Sequence, residues 1–324
     1  MTTWLLRRLM QACFVVLAMT VIVFVGISVI GDPVEIMISP DADQAERVRA
    51  IAALGLDKPL WEQYLRFLWG ALHGNLGRSF VFNEPALQLI ANRMPATMEL
   101  AVTAVLLSVV LGIPLGLYAG LKPNSLLGRT TMAGSILCFS LPSFWVGLML
   151  IMVFAVQLGW LPSTGRGATR ELFGVQWSFL TADGLAHMAM PALNLALGNI
   201  ALVLRLTRAG VRENLPMDYV KFARAKGLSP TRVVFVHVMK NIMIPIVTVV
   251  GLEFGSVIAF AVVTESVFAW PGMGKLIIDS INVLDRPVIV AYLMMIVLLF
   301  IGINLVVDLL YTVLDPRVRL ETTE

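Results

Sequence analysis

The sequence predicts an all-α polytopic membrane protein with six transmembrane helices. Of its 324 residues, 58% are hydrophobic and only 14% are charged, whereas a soluble domain carries about 25% charged residues. Apolar runs close to the roughly 20 residues that cross a bilayer recur along the whole chain. The basic residues collect in particular polar stretches between these runs, and this distribution predicts the orientation of the chain in the membrane.

The first apolar run follows Arg7-Arg8 and extends from about residue 9 to residue 30. It is longer than the 7–15 residues of a signal-peptide core, and no cleavage site of small residues follows it. We therefore expect a retained first helix. The other apolar runs predict spans at about residues 96–119, 132–158, 186–206, 244–268 and 287–310.

Two of these spans carry residues that shape a helix. Gly112, Gly116 and Gly120 are each four residues apart, so they share one helix face and permit a neighbouring helix to approach closely. Pro142 interrupts the third span and predicts a kink there, because proline has no backbone N–H to donate.

The orientation follows from the positions of the basic residues. A cytoplasmic N-terminus places more than half of the 24 Lys and Arg residues in the cytoplasm, as the positive-inside rule requires. The largest group lies between the fourth and fifth spans. With six spans both termini are then cytoplasmic, and residues 31–95 form a long outer segment.

Within this outer segment, aromatic and aliphatic residues recur at helical spacing. They are Trp61, Tyr64, Leu65 and Leu68. The pattern predicts a short amphipathic helix that lies on the protein core or at the membrane interface.

A basic, Ala-rich stretch between the fourth and fifth spans ends at a glycine. It reads Asp218-Tyr219-Val220-Lys221-Phe222-Ala223-Arg224-Ala225-Lys226-Gly227-Leu228. The composition predicts a short helix, and Gly227 with the following Ser229-Pro230 predicts its C-terminal end. So much charge on a short helix between two spans predicts a surface that a cytoplasmic partner holds.

This stretch resembles the coupling motif of ABC importer membrane subunits, in the branch that imports dipeptides, oligopeptides, nickel or glutathione. The motif of that branch reads roughly Glu/Asp-Tyr-Val-x-x-Ala-Arg-Ala-Lys-Gly-Leu, and residues 218–228 match it without a gap. Importers in general begin the motif with Glu-Ala-Ala, where this chain has Lys221, Phe222 and Ala223. Residues 262–274 resemble the family's VxxExVFxWPGxG, and residues 314–317 its LDPR.

The resemblance implies a type I ABC importer transmembrane domain in a bacterial inner membrane. It also implies partners: a second homologous permease subunit, cytoplasmic ATP-binding subunits, and a periplasmic or lipid-tethered solute-binding protein. ATP and Mg²⁺ belong to the ATP-binding subunits, so this chain is expected to bind no cofactor, metal or nucleic acid. The implied domains are residues 1–93 (first helix and outer segment), 94–316 (core transport domain) and 317–324 (cytoplasmic tail).

The resemblance further implies which residues contact the ATPase. They are Asp218, Tyr219, Ala223, Arg224, Ala225, Lys226, Gly227 and Leu228. Because Ala223 and Gly227 are four residues apart and share a helix face, we expect this small-residue face to be the buried contact. Arg224 and Lys226 are two residues apart and point in different directions, so we expect only one of them to pair with an ATPase carboxylate.

The second motif implies a loop at the outer mouth, near a docked solute-binding protein. Its positions are Glu265, Phe268, Trp270, Pro271, Gly272 and Gly274. Phe268 and Trp270 are expected to lie in the aromatic belt at the membrane interface. The alternative for this segment is a conventional helix exit with aromatic anchors.

Glu253 is an acidic residue inside the fifth span. It lies eight residues past Pro245, about 12 Å along a helix. Acidic residues at such depth face a cavity or a partner, so Glu253 is a candidate for lining the transport pathway. A protonated or hydrogen-bonded packing role is the alternative. The family's usual residue here is Gln.

The sequence gives no basis for expecting an enzyme. The segment Gly272-Met273-Gly274-Lys275-Leu276 lacks the Ser or Thr of a phosphate-binding loop, and Ala269 replaces its first glycine. We therefore expect an importer permease subunit that forms half of the path for a small solute, most consistent with a di- or oligopeptide. A secondary, ion-coupled transporter is the alternative, although we see no inverted repeat; a membrane scaffold is a third interpretation.

Overall fold

The computed structural model describes residues 2–29, 43–54 and 57–314. Its helices are α1 (Thr2–Val29), α2 (Gln44–Leu54), α3 (Leu60–Leu72), α4 (Ala86–Leu121), α5 (Leu126–Ser140), α6 (Ser143–Leu150), α7 (Ala182–Asn214), α8 (Asp218–Ala225), α9 (Pro230–Arg232), α10 (Met239–Val267), α11 (Met273–Asn282) and α12 (Arg286–Leu314). Two π-helical segments follow α6 and α9, namely π1 (Ile151–Gln157) and π2 (Val233–Val238). Strands β1 (Arg170–Leu172) and β2 (Val175–Trp177) pair antiparallel, with Arg170 opposite Trp177.

Four of the described helices are long and apolar enough to cross a membrane. They are α4, α7, the continuous run Pro230–Val267, and the Arg286–Asp308 part of α12. The pair formed by α5 and α6 with π1 supplies a fifth if it is counted as one span, and Met10–Gly26 of α1 is a shorter apolar helix. The predicted helical membrane fold is confirmed, with the count of six as an approximation.

The third predicted span is broken rather than kinked. The helix pair Leu126–Ser140 and Ser143–Gln157 is bent by 109°. Leu141 and Pro142 between them are extended, with ψ angles of 137° and 132°. Proline disfavours the helical conformation of the residue before it and cannot donate to the preceding turn, so the effect of Pro142 is stronger than the predicted kink.

The glycine ridge of α4 permits the predicted close approach of a neighbouring helix, which the structure identifies as α7. A Cβ at Gly112 would lie 2.9 Å from the Val203 side chain, and one at Gly116 only 2.5 Å from the Leu204 carbonyl oxygen. A Cβ at Gly120 would meet Val211 at 2.8 Å. Only glycine permits this separation of the two backbones.

The described residues fold as two compact units. One contains those within Met1–Met94 and Gly272–Gly302, and the other those within Pro95–Pro271 and from Ile303 onward. In the first unit, Val23 of α1 packs with Val290 and Met294 of α12. The carboxylate of fully buried Asp285 accepts hydrogen bonds from the Ser79 hydroxyl and, at 3.2 Å, from the Phe80 N–H. These bonds attach the outer segment to the start of α12.

The second unit is built around α7. This helix packs along α10 and α5, and its N-terminus is capped by Thr181, whose hydroxyl accepts from the Gly184 N–H at 2.9 Å. At its other end Val203 and Val211 join a buried apolar cluster with residues of α8, π2 and α10. This cluster fixes the short helix α8 against the end of α7.

Candidate functional site

The basic stretch forms the predicted short helix, α8. Asp218 lies in its first turn, where a carboxylate interacts favourably with the positive end of the helix dipole. At the other end the Lys226 N–H donates to Phe222 O at 3.0 Å and the Leu228 N–H to Ala223 O at 3.3 Å. Gly227 has a φ of +76°, the left-handed conformation in which glycine commonly terminates helices. The predicted helix end is confirmed.

One side of α8 packs inside the chain. Val220 is fully buried and Ala223 is 4% exposed, both in the apolar cluster with Val211 and Ile242. Gly227 is exposed. The expected small-residue docking face is therefore wrong at Ala223, because its methyl group fills the chain's own core and is not available to another protein.

Another side of α8, about 100° around the helix from the buried one, exposes aromatic and cationic groups. Tyr219 is 36% exposed and donates its hydroxyl to Asn214 Oδ1 at 2.6 Å, while Phe222 is 62% exposed. Lys226 Nζ lies 4.5 Å from the centroid of the Phe222 ring, within the range of a cation–π interaction. We call Tyr219, Phe222 and Lys226 the aromatic face of α8.

Sequence reasoning missed Phe222. The family motif leaves the position of Phe222 variable, and the expected docking face was therefore assigned to the small residues Ala223 and Gly227. The signal that identifies Phe222 is the helical period: Val220 and Ala223 share one apolar side, and Phe222 lies about 100° from Ala223 around the helix.

Arg224 and Lys226 point in different directions, as predicted. Lys226 covers the Phe222 ring, whereas Arg224 lines a cavity of about 480 Å³ beside α8. Leu228 and Phe235 line the same cavity, and Leu121 at the end of α4 is part of its wall. Asp218 and Ala225 are exposed, and Asp218 pairs with Lys221 at 2.9 Å.

The second motif is buried. Trp270 has no exposed surface and packs with Leu100 of α4 and with Met188 and Ala192 of α7. Its indole N–H donates to Ala96 O at 3.0 Å. The prediction of an interface belt is wrong for Trp270, and also for Phe268, which is 1% exposed.

The local backbone explains this burial. The chain leaves α10 at Val267 and reverses at Ala269, which has a φ of +47°. The Trp270 N–H then donates to Glu265 O at 2.8 Å, so the indole returns to the helix bundle instead of projecting to the membrane surface.

The other positions of the motif are also enclosed. Glu265 is fully buried and accepts from the Thr97 hydroxyl at 2.6 Å. Pro271 is half-buried, and Gly272 and Gly274 are buried at the start of α11. The motif therefore supports the fold around it, and a role for these residues at the outer mouth stays a prediction.

A buried ion pair between Glu99 of α4 and Arg166 was not predicted from the sequence. Glu99 Oε2 accepts from Arg166 Nη2 at 2.9 Å, and Glu99 Oε1 accepts from the Ser178 and Phe179 N–H groups at 2.6 and 2.8 Å. The Glu99 side chain is 1% exposed. Such a charge is stable in the interior only when it is paired and hydrogen-bonded, so this network fastens the loop between α6 and α7 to α4.

Comparison with known families decides the class of protein. Residues 112–320 match the family described as "Binding-protein-dependent transport system inner membrane component", and residues 1–101 match the N-terminal family of the same membrane components. The chain belongs to this family. It is the permease subunit of an ABC importer, as the coupling motif indicated.

Several relatives extend over nearly the whole permease. It is 40% identical to the di/tripeptide transport system permease protein DppB of Pseudomonas aeruginosa and 37% identical to the dipeptide permease DppB of Escherichia coli K12. It is 36% identical to the glutathione permease GsiC of Escherichia coli K12. Each alignment covers 98% of this chain and 99% of the relative. The alternative of a secondary transporter has no support among them.

A solved structure confirms the fold. The permease matches a chain of the inward-facing MetNI methionine ABC transporter with a TM-score of 0.54 and 17% sequence identity. The match covers 72% of the permease and 99% of that chain. The fold is that of a type I ABC importer transmembrane domain, as predicted.

Glu253 of the permease lines a small recess between three helices. Ser108 of α4 and Asn199 of α7 contribute the other polar groups, and Val249 and Leu202 part of the apolar wall. The recess has a volume of about 10 Å³, close to the minimum for one water molecule. This geometry is compatible both with a pathway role and with hydrogen-bonded packing. Among the described residues, no group of three His, Cys, Asp or Glu side chains could hold a metal ion.

Proposed function

We propose that the permease forms half of the translocation path for di- or oligopeptides in a bacterial inner membrane. The observation that carries this proposal is its 37–40% identity, over 98% of the chain, to permeases named for dipeptides and di/tripeptides. The relative named for glutathione has a peptide cargo as well. A short peptide is therefore the cargo chemistry that these relatives share.

The family implies an ATPase and a solute-binding protein as partners. We propose further that the second half of the path is a homologous permease subunit and that both termini are cytoplasmic. ATP and Mg²⁺ then bind to the ATPase subunits, and this chain catalyses no reaction itself. Within the chain, we assign transport to residues 94–316 and regard residues 1–93 and 317–324 as the outer segment with its helix and the cytoplasmic tail.

Reconstitution tests this function. Proteoliposomes that contain the permease, its partner subunits and the cognate solute-binding protein should accumulate radiolabelled dialanine only when ATP is enclosed with the ATPase. An excess of an unlabelled tripeptide should suppress the signal, and free alanine should not. Uptake that follows an ion gradient without ATP would contradict the importer mechanism, and suppression by a nickel chelate alone would contradict the peptide assignment.

We assign the docking of the ATPase to the aromatic face of α8 rather than to its small residues. Phe222 is the large apolar side chain that is most exposed on α8, beside the partly exposed Tyr219, and aromatic side chains dominate the energetics of protein interfaces. Lys226 is then the cation that lies within the contact, and Arg224 points in a different direction. Gly227 sets the end of the helix, and Asp218, Ala225 and Leu228 complete the stretch.

Movement of α8 is the physical link between ATP hydrolysis and transport in this proposal. Because Val220 and Ala223 are packed into the same core as Val211 of α7, α8 cannot move without displacing the helix bundle. ATP-driven closure of the ATPase would therefore shift α8 as a rigid body and change the access of the path. The buried second motif supports the outer end of this bundle, near the solute-binding protein.

We also propose that Glu253 contacts the cationic amino terminus of the peptide along the path. Glu253→Gln removes the charge and keeps the shape of the side chain. Uptake of a free dipeptide should then fall, whereas uptake of its N-acetylated form should not change. Equal effects on both peptides would instead favour a packing role for Glu253.

A further inference from the structure

Helix α3 in the outer segment has three distinct faces, and the first of them packs on α1. The Tyr64 hydroxyl lies 2.8 Å from Thr20 Oγ1, and the rings of Tyr64 and Phe67 lie 5.4 and 6.1 Å from that of Phe24. Thr20 and Phe24 lie near the end of the apolar stretch Met10–Gly26, so α3 is held at the level where α1 leaves its apolar part.

The second face of α3 is charged. Glu62 Oε1 accepts from Lys58 Nζ at 2.8 Å and from Arg66 Nη2 at 3.2 Å. The hydrogen bond from Lys58, with the positive charges of Lys58 and Arg66, holds the pKa of Glu62 below its usual value. At neutral pH this face carries three charges, which require contact with water.

The third face is an exposed apolar stripe. Trp61, Leu65, Trp69 and Leu72 are 65%, 52%, 68% and 74% exposed. They are separated by four, four and three residues, so they form one row along the helix. We call this row the tryptophan stripe; all four of its members are apolar.

We propose that the tryptophan stripe is inserted into the lipid at the membrane–water boundary, with α3 lying in the plane of the membrane surface. The amphipathic indole ring favours this boundary, and a helix with one apolar and one charged face binds there. Helix α1, on which α3 packs, also exposes apolar side chains: Phe14, Leu17 and Ile22 are 72%, 50% and 63% exposed. The same bilayer can therefore cover the apolar surfaces of both helices. The inference does not depend on the identity of the transported solute.

The angular order of the three faces supports lipid as the occupant. Around the helix, the direction of Leu65 lies about 100° from Tyr64 and about 100° from Arg66. The stripe thus lies between the face that contacts the membrane helix α1 and the face that contacts water. A helix that rests on a bilayer beside a transmembrane helix requires this order of faces.

Accessibility of a spin label at adjacent positions tests the proposal. The described cysteines, Cys13 and Cys138, are free and are replaced by serine. Leu65→Cys and the matched control Arg66→Cys are then labelled with a nitroxide in the full-length permease, assembled with its partner subunits in lipid nanodiscs. At Leu65→Cys we expect collisions with oxygen to exceed those with a water-soluble nickel chelate several-fold, and at Arg66→Cys we expect the reverse.

Two results would overturn the inference. Equal access of the nickel chelate to both positions would place the stripe in water, and exclusion of both collision partners from Leu65→Cys would place it against another protein chain.

A second measurement needs no label on α3. Brominated lipids should quench a smaller share of the tryptophan fluorescence in Trp61→Phe/Trp69→Phe than in the parent protein. Phenylalanine keeps the stripe apolar, so the fold is retained. An unchanged quenched share would also contradict the insertion.

Discussion

The two motifs that resemble the family most closely have opposite structural roles. Residues 218–228 contain the helix α8, whose aromatic face projects from the chain. In residues 265–274 most side chains are buried or half-buried, and only Ser266 and Ala269 are exposed. Phe222 is 62% exposed and Trp270 has no exposed surface, although both are large aromatic residues near a glycine at the end of a helix. A sequence motif therefore identifies a family without stating whether its residues contact a partner or support the fold.

The difference has a physical origin in the two backbones. Helix α8 is short and packs on the core through one side only. Its remaining side chains therefore point away from the core. The second motif reverses the chain at Ala269 immediately after α10, and this reversal returns Trp270 to the bundle, where Ala96 accepts its N–H. The comparison predicts that substitutions in the first motif affect assembly, and substitutions in the second affect folding.

The largest expected effect concerns the buried side of α8, where the comparison predicts a folding defect within the first motif itself. Ala223→Glu places a charge in the core beside Val211 and Ile242. An uncompensated buried charge costs about 3–5 kcal/mol, so we expect loss of folded protein in a detergent thermal-unfolding assay. Ala225→Glu is the matched control on the exposed side and should retain the melting temperature. Equal stability of both variants would mean that the orientation of α8 is wrong.

The second test removes Trp270, the buried aromatic residue of the second motif. Trp270→Ala leaves a cavity between α4 and α7 and removes the hydrogen bond to the Ala96 carbonyl, and a substitution of this kind costs about 3–5 kcal/mol. The variant should show a large loss of monodisperse protein in size-exclusion chromatography. Trp270→Phe keeps most of the volume and loses only the hydrogen bond, so we expect a smaller loss of about 1–3 kcal/mol. Normal stability of Trp270→Ala with impaired binding of the solute-binding protein would instead assign this motif to a contact surface.

The third test removes the exposed aromatic residue. Phe222→Ala should leave the melting temperature unchanged, because the ring contributes little to the core, but it should weaken retention of the ATPase by about 2 kcal/mol or more if Phe222 is an interface hot spot. Co-purification of the ATPase with the permease measures this effect. Lys221→Ala, one position away and paired only with Asp218 at the surface, serves as control. Full retention of the ATPase by Phe222→Ala would show that the aromatic face of α8 is not the docking site.

The fourth test concerns the glycine at the end of α8. Gly227 has a φ of +76° with no neighbouring atom near its missing side chain, so Gly227→Val is strained by about 1–2 kcal/mol through the backbone alone. We expect the variant to insert in the membrane at normal yield and to lose peptide uptake, because the helix end is displaced. Uptake at the parental rate would show that the position of this helix end does not matter for coupling.

Local sequence signals predicted much of this structure. The φ angle of Gly227, the close packing of α4 through Gly112, Gly116 and Gly120, and the divergence of Arg224 and Lys226 all depend on residues within one element. The amphipathic pattern around Trp61 and Tyr64 likewise predicted α3. Each of these features follows from helix geometry and from the absence of a side chain in glycine.

The rest depends on contacts between distant parts of the chain. The partners Glu99 and Arg166 are 67 residues apart, and no periodicity connects a carboxylate in a predicted span to a cation in an outer loop. Trp270 pairs with Ala96 across 174 residues, so its burial was hidden by its position after a span. For Ala223, the motif gave the residue type but not which side of α8 the core occupies.

The close approach of α4 and α7 makes the pair a stiff lever. Helix α7 has 33 residues and is about 50 Å long. The side chains of Val203 and Val211 lie against the glycine positions of α4, and this close fit opposes sliding of one helix along the other. If the pair pivots near its middle, a 2 Å displacement at the α8 end tilts it by about 5° and moves the other end by the same 2 Å in the opposite direction. The Glu99–Arg166 network attaches the loop before α7 to that other end. If the pair moves as a rigid body, a displacement of α8 would therefore reach this loop with about the same amplitude.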